Sequence, residues 1–127
     1  MSDAIIVNSL EFKNDLNKIL KLNSVKIFNP IKIESFNKKL RIDYFRNFNG
    51  IKILSIGRVT DQKNHITIFK SLNILKKNKI NFKFYLIGAG YKLNELKQYV
   101  ESHKLSACVK FGGYKLNAQE YIRSSDL

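Results

Sequence analysis

The chain has 127 residues, 44% of them hydrophobic, and carries 23 lysines and arginines against 10 aspartates and glutamates, a formal net charge of +13. That length suits one domain of ordinary size and falls short of two full domains enclosing a cleft, while the apolar content rules out wholesale disorder. No apolar run approaches the roughly 20 residues of a membrane-spanning helix, residues 1–8 lack the basic start of a signal peptide, and the lone Cys108 leaves no intramolecular disulfide and fits a reducing, cytoplasmic compartment.

In chain order, Ala4-Ile5-Ile6-Val7 is a β-branched run that predicts a short buried strand. Asn8-Ser9 follows as a helix N-cap, and Leu10, Phe12, Leu16, Ile19 and Leu20 fall on one stripe of a helix over 9–22. Val25-Lys26-Ile27-Phe28 predicts a second strand, stopped by Asn29-Pro30. Residues 31–49 show no clean periodicity and read as a linker with one helical turn near 35–40.

From residue 51 the pattern sharpens. Ile51-Lys52-Ile53-Leu54-Ser55-Ile56-Gly57 predicts a buried strand ending on glycine. Asn64 or Thr67 then caps a helix over 65–78 carried by Ile66, Phe69, Leu72, Ile74 and Leu75. Phe82-Lys83-Phe84-Tyr85-Leu86-Ile87 is the next strand, closed by Gly88-Ala89-Gly90, and a helix over 92–103 presents Leu93, Leu96 and Val100. Val109-Lys110-Phe111 is the third strand, closed by Gly112-Gly113, before a last helix near Asn117 or Ala118. This alternation is that of parallel βαβ units: an α/β, Rossmann-like sheet with flanking helices, whose ligand sites lie at the carboxyl ends of the strands.

The charge itself is diffuse. Residues 1–50 hold 9 basic residues against 5 acids and residues 51–127 hold 14 against 5, and the tight clusters are Lys38-Lys39-Arg41 and Lys76-Lys77-Lys79. A solvated basic surface, attraction to anionic lipid headgroups and nucleic-acid binding are all open on this evidence. No helix-turn-helix or zinc-finger pattern favours the last, and nucleic acid is not expected as a partner.

The spot richest in chemistry is Gly57-Arg58-Val59-Thr60-Asp61-Gln62-Lys63-Asn64. The glycine lets the backbone turn and leaves room for a ligand. Arg58 offers a bidentate fork, and Lys63 stands five residues on, just before a helix whose amino end favours anions; the set suits a diphosphate. Two solvated cations on a surface loop are the plain alternative. His65 reads as a first-turn helix residue, His103 as a helix-end residue and Cys108 as structural; Glu120 and Asp126 do not pair as acid and base, and no cluster has metal-ligand spacing.

The blocks "ILSIGRVTDQKNHITIFKSLNILKK", "FKFYLIGAGYKLNELKQYV", "VKFGGY" and "YIRSSDL" resemble, in order, the first half of the nucleotide-sugar-binding domain of group 1 (family 4) glycosyltransferases. The stretch "DAIIVNSLEFKNDLNKIL…VKIFNP" resembles the end of the same family's acceptor domain. The resemblance implies a partial GT-B fold: 1–30 ending the N-terminal acceptor domain, 31–49 a linker, and 50–127 the truncated first half of the C-terminal domain. It implies a retaining enzyme of polysaccharide biosynthesis that moves a sugar from a UDP- or GDP-sugar to a glycan or lipid-linked acceptor, with no metal or other cofactor. Arg58 and Lys63 would match the basic pair on the donor's diphosphate, stabilising the charge that grows on the leaving phosphate. Gly57, Gly88 and Gly90 would line the donor, and Gly113 and Tyr114 would follow the strand end that reads the base; tight turns and packing needs are the alternatives for these glycines. The family's paired glutamates beyond Leu127 and most of the acceptor domain are missing from these residues, so a fragment is expected, inactive alone. Ile51–Ile56 and its neighbours should form a half-sheet with one edge unpaired, prone to aggregation or self-association, and peripheral contact with the inner face of an anionic membrane is expected for a lipid-linked acceptor.

Overall fold

Near the N-terminus the local signals are realised in short form. In this computed structural model, which describes residues 4–30 and 41–127, β1 covers Ile6–Val7, α1 covers Leu10–Leu20 and β2 covers Val25–Lys26, with β1 and β2 parallel. Ser9 caps α1 as expected, its Oγ accepting from the Phe12 N–H at 3.1 Å, and Lys21 ends the helix in a left-handed conformation. The strands are shorter than the apolar runs: among the described apolar residues of this stretch only Val7 is buried, and Ile6, Leu10, Phe12, Ile19, Leu20 and Phe28 are exposed. The chain divides into two compact units at residues 35 and 36.

The second unit follows the βαβ reading closely. β3 (Ile51–Ile56), α2 (His65–Lys77), β4 (Phe82–Ile87), α3 (Leu93–Ser102) and β5 (Val109–Gly113) build a parallel sheet in the order β3-β4-β5. Alternation along β4 buries Phe82, Phe84 and Leu86, which pack with Phe69 and Leu72 of α2 and with Leu96 and Val100 of α3. Each such side chain contributes about 1.5–3 kcal/mol by leaving water. β5 runs two residues beyond the expected Phe111, with a bulge: Leu86 aligns with Phe111 but Ile87 with Gly113, leaving Gly112 as the extra residue.

Two expectations need correction. The linker assigned to 31–49 is packed structure in its described part: Asp43–Phe45 forms a 3-10 turn, and Ile42 and Phe45 are each 4% exposed. This segment covers the sheet face opposite α2 and α3. The Tyr44 and Phe45 rings stand 6.2 Å from that of Tyr85, and Lys83 donates from Nζ to the Tyr44 carbonyl at 2.8 Å. Two apolar residues three apart among Arg41, Asp43 and Arg46 are too weak a signal to read as an anchored turn. The turn expected near 35–40 lies outside the described residues.

The last helix is a 3-10 segment, Ala118–Ser124, not an α-helix. It runs into Ser-Ser-Asp, residues that hydrogen-bond locally in turns, and Ser125 Oγ donates to the Ile122 carbonyl at 2.8 Å. On the side away from β4, β3 is engaged by the last residues. Asp126 N–H donates to the Lys52 carbonyl at 2.8 Å, Asp126 Oδ2 accepts from the Lys52 N–H at 2.9 Å, and Leu54 N–H donates to the Leu127 carbonyl at 2.8 Å. That edge is engaged at Lys52 and Leu54.

Candidate functional site

The carboxyl ends of the three strands are laced together by backbone alone. Gly57 N–H donates to Ile87 C=O at 3.0 Å, Val59 N–H to Ala89 C=O at 2.9 Å and Gly88 N–H to Gly113 C=O at 2.8 Å. The lacing brings loops so close that two glycines are obligatory. Gly88 has φ +153, and a Cβ there would lie 1.9 Å from the Gly57 oxygen; a Cβ at Gly90 would lie 2.1 Å from the Val59 oxygen. Gly57 differs: a Cβ there would meet only His65 Nε2, at 4.0 Å. The protein therefore leaves open space beside Gly57.

Above these ends lies a hollow of about 250 Å³ lined by residues of all three strand-end loops, among them Ile56, Gly57, Arg58, Gly88, Tyr114 and Lys115. Four of the residues singled out by sequence, Gly57, Arg58, Gly88 and Tyr114, thus share one cavity. Gly90 and Gly113 do not line it; they hold the loops that do, Gly113 with φ +66 and its carbonyl on Gly88. Lys63 does not line it either. It is exposed on the 3-10 turn Asp61–Lys63 ahead of α2. Lys115, which sequence reading missed, is the second cation of the lining; its signal was its place directly after Tyr114, at the end of the third glycine-closed strand.

The loop between Arg58 and α2 is held from outside by a polar brace. Tyr91 Oη donates to Asp61 Oδ2 at 2.6 Å, and Lys92 Nζ lies 3.2 Å from Asp61 Oδ1 and 2.8 Å from Glu95 Oε2. The Tyr91 hydrogen bond, then Lys92, holds the Asp61 carboxyl below the usual carboxylate range. Asn64 occupies the N-cap position of α2, as expected, but in a left-handed conformation with no side-chain capping bond. That residue turns the chain out of the 3-10 segment, and in the first turn of α2 the Thr67 N–H donates to the Asn64 carbonyl at 3.1 Å.

Behind the loop, His65 is 5% exposed, and its Nδ1 has no hydrogen-bond partner among the described residues. Burial, then the Lys63 charge, pushes its imidazole below the ordinary value of 6.5. The folded chain thus holds His65 neutral where the unfolded chain takes up a proton. Stability contributed this way is full above about pH 6.5 and is lost as pH falls below it. Thermal unfolding at pH 7.5 and pH 5 should therefore show a larger loss for the wild type than for His65→Leu; equal losses would show that His65 is not the group responsible.

Other sequence assignments are placed simply. His103 stacks on Tyr99, with centroids 3.8 Å apart, and Cys108 Sγ donates to the Leu105 carbonyl at 3.3 Å, its thiol pushed up chiefly by burial. Among the described residues no group of three or more His, Cys, Asp or Glu could hold a metal ion, and no helix is long and apolar enough to cross a membrane.

Residues 36–127 match the family model described as glycosyl transferases group 1. The chain belongs to the group 1 glycosyltransferases. It is 30% identical over 99 residues to the amylovoran biosynthesis glycosyltransferase AmsK of Erwinia amylovora, a match covering 76% of this chain and 24% of AmsK. Among solved structures it resembles a point mutant of TarM from S. aureus in complex with fondaparinux, alpha-GlcNAc-glycerol and UDP, at 22% identity and TM-score 0.69, over 88% of this chain and 22% of that one. It also resembles the pneumococcal O-GlcNAc transferase GtfA in complex with UDP and GlcNAc, at 15% identity and TM-score 0.68, over 94% of this chain and 24% of that one. The fold is that of the GT-B glycosyltransferases. The chain spans about a quarter of the length of each of these proteins. The group 1 match begins at residue 36, so the packed 41–49 segment falls inside the family's domain and not in a spacer before it.

Proposed function

We propose that the hollow at the carboxyl ends of β3, β4 and β5 receives the nucleoside diphosphate of an activated sugar, UDP- or GDP-linked, and that the complete enzyme transfers that sugar with retention to a glycan or lipid-linked acceptor. The observation that carries this reading is the convergence of Gly57-Arg58, Gly88-Ala89 and Tyr114-Lys115 on one cavity in a member of this family. The UDP present in the TarM and GtfA complexes and the biosynthetic role of AmsK support it. Polysaccharide biosynthesis on the cytoplasmic side, with peripheral contact at the membrane, belongs to the same proposal.

Arg58 is given the diphosphate, with Lys115 beside it and Lys63 contributing at longer range. As the glycosidic bond breaks, negative charge grows on the leaving phosphate, and a cation already aimed there stabilises the transition state more than the bound donor. In this reading cationic side chains meet that charge without a metal. The open space beside Gly57 admits the phosphates, and the carbonyl-rich strand ends face the base.

Calorimetry with UDP and GDP tests the assignment. The wild-type chain should bind one of them, and Arg58→Ala should weaken binding by about tenfold to a hundredfold, the worth of one charge-assisted hydrogen-bonded contact. Lys63→Ala should cost less, because Lys63 lies outside the lining. Equal heats for the wild type and Arg58→Ala/Lys63→Ala would remove both residues from the site. Absence of nucleotide binding with retained affinity for anionic vesicles would favour a non-catalytic basic module instead.

A further inference from the structure

The chain has 19 lysines but only four arginines, and the arginines are not scattered. Arg58 lines the hollow just described; the other three, Arg41, Arg46 and Arg123, all line a second cavity of about 700 Å³, together with Lys52. This cavity lies at the amino end of β3, between the Asp43–Phe45 turn and the end of the 118–124 segment. Lys52 stands near the amino end of β3 and Arg58 just past its carboxyl end, so the two cavities sit at opposite ends of the sheet.

The second cavity is electrostatically unbalanced. Its four cations face one lining carboxylate, Asp43, and no carboxylate forms an ion pair with Arg41, Arg46 or Arg123 among the described residues. The nearby Asp126 carboxylate is engaged by the Lys52 backbone N–H. Lys83, which pairs with Lys52 across the sheet, gives its Nζ to the Tyr44 carbonyl and adds a further positive charge close by. Like charges gathered in a concave surface repel one another and focus a positive potential into it, and that potential is relieved by an anion. Guanidinium groups suit phosphate oxygens better than ammonium groups do, because they present paired N–H donors in a plane.

We propose that this cavity is a second anion site, whose guanidinium donors suit a ligand with two or more linked phosphates, free in solution or on a lipid headgroup. It is independent of the nucleotide reading.

Titration of sodium tripolyphosphate into Arg58→Ala/Lys115→Ala, which removes both cations lining the first hollow, tests it. One ion should bind per chain, and Arg41→Gln/Arg46→Gln/Arg123→Gln added to that background should weaken binding at least about tenfold. A charge-matched control, Lys70→Gln/Lys77→Gln/Lys97→Gln at exposed helix positions, should leave it unchanged. No binding in the background protein, or equal losses in the two triple variants, would overturn the site. Should the arginine triple fail to fold, Arg123→Gln alone at its exposed position gives the same comparison against Lys97→Gln. Sedimentation with phosphatidylcholine vesicles, with and without cardiolipin, then separates the sources. Arginine-dependent pelleting released by tripolyphosphate assigns a lipid headgroup; tripolyphosphate binding without such pelleting assigns a soluble anion.

Discussion

Gly88→Ala is expected to lower the stability of the 36–127 unit by about 3 kcal/mol or more, at the upper end of what single substitutions do. Two causes act together. The backbone at Gly88 has φ +153, which L side chains rarely adopt, and the new methyl carbon would lie 1.9 Å from the Gly57 carbonyl oxygen. That oxygen is backbone, on a strand end tied to β4 through Gly57 N–H and Ile87 C=O, so it cannot swing aside as a side-chain tip could. Relief requires the β3 and β4 ends to separate. Because domains are stable by only about 5–15 kcal/mol, the urea midpoint should fall sharply. Gly57→Ala, where a Cβ meets only His65 Nε2 at 4.0 Å, should stay near the wild type in the same experiment. A Gly88→Ala protein with an unchanged midpoint would show that the strand ends are not locked as described.

Phe69→Ala should cost about 3–5 kcal/mol, the range for deleting a buried aromatic ring. Phe69 has no exposed surface, and its ring meets Phe84 edge-on at 5.4 Å between centroids and stacks with Phe111 at 5.8 Å. One side chain of α2 thereby ties two strands, and deleting its ring leaves a cavity between them. Ile74→Ala, on the same helix but 58% exposed, should change stability by under about 1 kcal/mol. Chemical denaturation of the two variants reads the contrast directly, and similar midpoints would place the core elsewhere.

The strands and helices from 51 to 113 were legible because each signal reinforced the next: apolar runs such as Phe82–Ile87 ended in glycine, and periodic stretches such as Ile66–Leu75 followed. The strand-end hollow was legible for the same reason, since parallel strands deliver their loops to one end of the sheet. What failed to show in sequence were features fixed by contacts far along the chain. Phe45 is buried by Tyr85 and its surroundings, 40 positions away, and nothing local marks it as anchored. Lys115 lines the hollow two residues past Gly113, which turns with φ +66, and Lys63 lies outside it on the 3-10 turn of 61–63. The family resemblance was readable from four ordered blocks, while the arginine cavity needed the fold to bring residues 41, 46, 52 and 123 together.

The path of the last residues bears on how a cleft arises here at all. From β3 the chain steps to β4 and then to β5, always in one direction, and the 118–124 segment brings it back to the opposite flank of β3. Winding therefore reverses at β3, and loops that leave on either side of it must diverge. The notch above Gly57 is a product of that reversal and owes nothing to any one side chain. Stripping Arg58 of its guanidinium should leave the notch's walls standing, so its ligand-binding and structural roles can be measured apart.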